Sequence, residues 1–137
     1  MGLISISPLV IPKEKIDFSS LRQALASLKS ALEQVPDDDL ERDGVIQRFE
    51  YTFELCWKMI RRVLVALGRA EVSASPRPLL RDAVEEHLID DIETWFEFLE
   101  ARNLTTHTYD QSRAELVFQV AQKFPAFVES LLQRLEE

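Results

Sequence analysis

Glycine is nearly absent from this chain: three residues in 137. With only six prolines as well, the chain has few sharp turns and no glycine loop that could cradle a phosphate, so no nucleotide cofactor is expected. Cysteine occurs once, at Cys56, which excludes an internal disulfide and fits a reducing compartment. One cysteine and two histidines are too few for a zinc site of the usual spacing, so no metal is expected. Positive charge is in deficit, with a formal net charge of -8. Proteins that coat nucleic acid through phosphate neutralisation are basic, so that class is excluded, although a local basic pocket stays open. No apolar run is long enough for a membrane span. The first residues, MGLISISPLVIPKEK, lack a basic flank and are broken by Pro8 and Pro12, a poor match to a signal peptide. These absences describe a soluble cytoplasmic protein.

What is present is an apolar fraction of 46%, enough for one folded domain. Residues 1–17 read as an N-terminal arm, because prolines and serines oppose a helix there. Its Leu3, Ile4, Ile6, Leu9, Val10 and Ile11 are too apolar for a free tail. The domain then runs over 18–137. Leu21, Leu25, Leu28, Leu32 and Val35 recur at helical spacing after a cap at Ser19 or Ser20, and Pro36 ends that helix. Asp37, Asp38 and Asp39 open a second helix, whose stripe is Val45, Phe49, Phe53, Cys56, Ile60, Val63 and Leu67, stopped by Gly68. Its apolar girth, widened by Ile46, Trp57 and Leu64, marks it as central.

Ser75-Pro76 starts a short third helix reaching about Leu88, with His87 as a C-terminal cap. Asp90 or Asp91 opens a fourth, burying Ile92, Trp95, Phe96 and Leu99. A last helix from about Asp110 carries Val117, Val120, Phe124, Val128, Leu131 and Leu135, kinked at Pro125. The sum is an all-α, up-and-down helical bundle.

Between the last two helices lies ARNLTTHTYD, residues 101–110. Five residues of straight helix turn about 500°, which would point Arg102 and His107 roughly 140° apart. Thr105, Thr106 and Thr108 weaken helix there. The fourth helix is therefore expected to end near Arg102 or Asn103, placing His107 and Tyr109 on the turn. Such residues commonly serve only as dipole complements and caps. The chemical alternative is a metal-free site for RNA cleavage by the ribose 2′-hydroxyl. Arginine would stabilise charge on phosphorus and histidine would move protons. One histidine cannot be both base and acid at once, and a two-fold dimer with facing joints would supply the second.

Arg102-Asn103-Leu104-Thr105-Thr106-His107 resembles the signature of the HEPN superfamily, and its extension to Tyr109 resembles the HepT toxin group. The run from Arg42 to Lys58, and that from Ser75-Pro76-Arg77 through Leu88-Ile89-Asp90-Asp91 to Trp95, resemble the bacterial nucleotidyltransferase substrate-binding protein family. The resemblance covers roughly residues 18–135. It implies a HEPN-like bundle of four or five helices that forms a homodimer. It also implies a partner, a cognate small nucleotidyltransferase acting as antitoxin, and an RNA substrate. In that scheme Arg102 and His107 are the catalytic pair of a metal-independent endoribonuclease, supported by Asn103. The partner silences the enzyme by transferring AMP to Tyr109. The alternatives are a non-catalytic subunit presenting substrate to a nucleotidyltransferase, and a plain interaction scaffold.

Lys58, Arg61 and Arg62, with Arg69, could guide RNA or a nucleotide toward the joint, or could remain solvated charges at a helix end. Glu50 and Glu54 read as an exposed helix pair, or as groups that order Arg102 or hold a ribose. Trp57, Trp95 and Phe96 read as core or dimer contacts.

Overall fold

The computed structural model describes residues 11–137, and the expected packing of Leu3, Ile4, Ile6, Leu9 and Val10 falls outside them. Six α-helices and two short 3-10 turns make up the regular structure of the described residues, with no strand among them. The helices are α1 (Ser19–Leu32), α2 (Asp39–Ala66), α3 (Pro76–Glu85), α4 (Ile92–Asn103), α5 (Gln111–Ala121) and α6 (Phe124–Leu135). The 3-10 turns are Lys13–Lys15, before α1, and Leu104–His107, between α4 and α5. The chain is thus the all-α bundle that the apolar periodicity requires. No helix among the described residues is long and apolar enough to cross a membrane.

The core is aromatic and centres on Phe124. Its ring lies 5.1 Å from Phe49, 5.7 Å from Trp95 and 4.7 Å from Phe98 between centroids, each edge-on. Edge-to-face pairs of this kind add specificity to their large apolar burial. The 28-residue α2 supplies ten buried residues and packs on α1, α3, α4, α5 and α6. It is the central helix expected from its girth.

Several details depart from the sequence reading. Ser19 and Ser20 do not cap α1: Asp17 Oδ1 accepts from Ser19 N at 2.8 Å, and Phe18 occupies the cap position. Val35 is 88% exposed beyond the end of α1, because the helix stops at Leu32, three residues short of it. Leu67 is likewise 47% exposed at the end of α2, and Ile11 is exposed while Ile16 and Phe18 turn into the core. On α4 the fully buried rings are Trp95 and Phe98; Phe96 is half-buried under the Arg77 and Arg81 guanidinium groups. The expected kink at Pro125 is a full break between α5 and α6. Proline lacks an N–H and its ring crowds the carbonyl four residues back, at Ala121, the last residue of α5. The apolar stripe continues across the break, with Val117, Val120, Phe124, Val128, Leu131 and Leu135 all buried. That split raises the helix count above the four or five expected.

Two corners close on left-handed residues. Gly68 (φ 87) ends α2 and His87 (φ 61) ends α3. At the second, Leu88 N donates to Ala83 O (2.9 Å) and His87 N to Val84 O (3.0 Å), which satisfies the last carbonyls of α3. Arg69 bridges α2 to α3 through Asp82, Glu85 and Glu86.

Candidate functional site

The joint breaks where the threonines demand. Helix α4 ends at Asn103, and Thr105 Oγ1 donates back to Arg102 O at 2.7 Å, occupying a carbonyl the helix leaves free. Thr108 Oγ1 donates to Thr105 O at 3.4 Å. Asp110 then restarts the helix: its Oδ1 accepts from Ser112 N (2.9 Å), Arg113 N (3.3 Å) and Ser112 Oγ (2.7 Å). These bonds, the Ser112 side chain first, hold the Asp110 carboxyl below the ordinary aspartate range.

His107 and Tyr109 meet directly. The His107 Nδ1 lies 3.2 Å from the Tyr109 hydroxyl, and the rings are edge-on at 5.9 Å. A neutral imidazole that donates its Nδ1–H to the hydroxyl oxygen keeps a free lone pair on Nε2. Tyr109 is 79% exposed and His107 half-buried, so the pair stands on the outside of the protomer. Asn103 is exposed at the junction of α4 and the 3-10 turn.

Arg102 is held differently. Its Nη1 forms an ion pair with Glu54 Oε1 at 3.0 Å, both side chains being largely covered, and its guanidinium lies 5.7 Å from the Phe53 ring centroid. Glu54 Oε2 in turn accepts from Trp57 Nε1 at 2.8 Å. Glu54 thus contacts Arg102 rather than standing only as half of an exposed helix pair. Arg102 lies in the last turn of α4 and His107 ends the 3-10 turn that follows, and no hydrogen bond or ion pair joins their side chains among the described residues.

A second anchor went unnoticed in the sequence. Arg42, only 11% exposed in its side chain, donates to Gln111 Oε1 at 2.8 Å, and Gln111 Nε2 donates to Asp39 Oδ2 at 2.9 Å. The start of α5 is thereby tied to the start of α2. Twelve residues separate Arg42 from Glu54, about 18 Å of helix. The motif is thus fastened to α2 at two separated points. No sequence spacing signals this, because each contact joins residues 48 or more positions apart.

The basic residues divide. Lys58 and Arg62 are exposed and form no ion pair among the described residues. Arg61 Nε donates to Ser73 O at 3.2 Å, and Arg69 is committed to its three carboxylates. Trp95 belongs to the core, whereas Trp57 is half-buried beside Glu54. The Cys56 thiol is fully buried, which pushes its pKa up and leaves it unreactive.

Comparisons with known proteins agree with this fold. A family described as "Nucleotidyltransferase substrate binding protein like" matches residues 16–137. A Haemophilus influenzae protein named "Probable ribonuclease HepT" is 30% identical over 138 residues, covering 90% of this chain and 94% of its own. A crystal structure from Thermus thermophilus is 34% identical with a TM-score of 0.78, over 85% of this chain and 99% of its own. A Haemophilus influenzae structure, described as the fold of a substrate binding domain of a nucleotidyltransferase, is 28% identical with the same TM-score, over 88% and 100%.

Proposed function

The chain belongs to the family of nucleotidyltransferase substrate binding proteins, and from that premise we propose that it is a metal-independent endoribonuclease, the toxin of a toxin–antitoxin pair. A small nucleotidyltransferase is its antitoxin and silences it by transferring AMP to Tyr109. The observation that carries this reading is the His107 Nδ1–Tyr109 hydroxyl contact of 3.2 Å on the turn that follows Arg102.

In this reading the His107 imidazole takes the proton of a ribose 2′-hydroxyl as its oxygen attacks the neighbouring phosphorus. Arg102 meets the negative charge that grows on the phosphoryl oxygens, and Asn103 supports it from the helix end. The 5′ oxygen leaves with a proton from a second acid, which is His107 of the other copy in a two-fold homodimer. The products are a 2′,3′-cyclic phosphate and a free 5′-hydroxyl. In the same reading Lys58, Arg61 and Arg62 contact RNA phosphates. AMP on Tyr109 would set an anionic phosphate and a nucleoside against His107, excluding RNA by charge and volume.

The test is growth arrest and RNA cleavage on expression without the partner. Arg102→Ala and His107→Ala should each abolish both while leaving the fold and dimer intact. Cleavage should persist in excess EDTA. With the cognate nucleotidyltransferase, ATP and magnesium, intact-mass spectrometry should find AMP on Tyr109 and activity should fall. Toxicity retained in His107→Ala at equal protein level would end this reading. A second reading, a non-catalytic subunit presenting substrate to a nucleotidyltransferase, is favoured by the family's description. It predicts no growth arrest from the chain alone.

A further inference from the structure

Arginine side chains rich in rotamers seldom hold one geometry unaided. Arg102 is held on three sides. The Phe53 ring lies 5.7 Å from its Cζ, Glu54 Oε1 engages Nη1 at 3.0 Å, and the backbone beneath it is fixed by the Thr105 hydroxyl. Glu54 is itself prevented from swinging, because its second oxygen accepts the Trp57 indole N–H at 2.8 Å. The opposite edge of the guanidinium is uncommitted. Nε is buried and has no partner among the described residues, and Nη2 forms no ion pair there. Nη2 is therefore the donor left for a phosphoryl oxygen, while the buried Nε is closed to one.

We propose that Glu54 is a positioning residue for the ribonuclease reaction. It occupies Nη1 and so keeps Nη2 of Arg102 in a single orientation toward the phosphate, with Trp57 locking the carboxylate in place. The proposal rests on the ribonuclease reading of the site. Its signature follows from charge. A carboxylate next to the bound phosphate opposes ground-state binding, so removing it does not weaken affinity for RNA. It lowers turnover, because the arginine is no longer aligned when charge builds on phosphorus.

The experiment uses the full chain as it assembles. In single-turnover and steady-state cleavage of a short RNA, Glu54→Ala should lower kcat about 10- to 100-fold, with KM unchanged or lower. Glu54→Gln still offers an oxygen to Trp57 and should recover part of that loss. Trp57→Phe, which keeps a ring but removes the N–H donor, should fall in the same direction by less. Nitrogen-detected NMR of the Arg102 guanidinium reads positioning without any reaction. Hindered rotation of its Nη groups should be present in wild type and in His107→Ala, and lost in Glu54→Ala. An unchanged kcat in Glu54→Ala, a loss carried by KM, or an Arg102 signal indifferent to Glu54 would each overturn the proposal. If the Arg102 signal responds as expected but no form of the protein cleaves RNA, the ribonuclease reading falls and the Glu54–Arg102 coupling stands.

Discussion

His87 is the one described residue other than glycine with a left-handed backbone, at φ 61. A side chain there costs about 1–2 kcal/mol, of which glycine's greater freedom in the unfolded chain returns part. His87→Gly should therefore raise stability by about 0.5 kcal/mol, read as a higher denaturant midpoint at unchanged slope. His87→Ala should leave the midpoint near wild type, which separates the backbone effect from any role of the imidazole. Thr52 is a second outlier: fully buried, with no partner for its hydroxyl among the described residues. Thr52→Val keeps the shape and removes that oxygen, for an expected gain of about 1 kcal/mol; a loss instead would reveal a hydrogen bond to the helix backbone. At this scale the sequence was legible where local geometry alone decides. Arg102 and His107 could not share a straight helix, and the break is there. Glu54 remained ambiguous, since its partner lies 48 residues away on another helix.

The helix ends are set by aspartates, and these give the elements a pH dependence. The carboxyls of Asp91 and Asp110 both lie below the ordinary aspartate range. The hydrogen bond from the Thr94 side chain is the leading cause at Asp91, and that from Ser112 at Asp110. A depressed folded-state pKa stabilises the fold above the unfolded value and loses that contribution as pH falls through the folded one. Thermal midpoints should accordingly hold from neutral pH down to the upper edge of the aspartate range and drop below it. Asp110→Asn keeps an oxygen for the cap and should flatten its share of that drop; an unaltered acid profile would remove Asp110 from the account. The caps at Asp38, Asp91 and Asp110 were readable because each sits directly before an apolar period. The serine caps expected for α1 were not, because the helix starts earlier, with Phe18 at the cap position and Asp17 holding Ser19 N. Nor does an apolar stripe distinguish a kinked helix from two separate ones, since at Pro125 both halves face one core.

At the level of the molecule, we expect a two-fold homodimer with the two Arg102–His107 turns facing a shared cleft, because each turn holds a single histidine on the outside of its protomer. Light scattering should find twice the chain mass at micromolar concentration, and a protomer that stays monomeric there would remove the second acid. The bundle itself was visible in the periodicity, but the two fastenings of the motif to α2 were not, being contacts across the whole fold. Those fastenings bear on how the protein can vary. The helix that carries Phe49 and Phe53 into the core also carries Arg42 and Glu54 to the motif. A change that shifts or rotates α2 to refill the core also displaces the groups that hold the turn. Substitutions at distant core positions should therefore show epistasis with motif variants, and drift along this helix should be slower than along α1 or α6, where packing alone is selected.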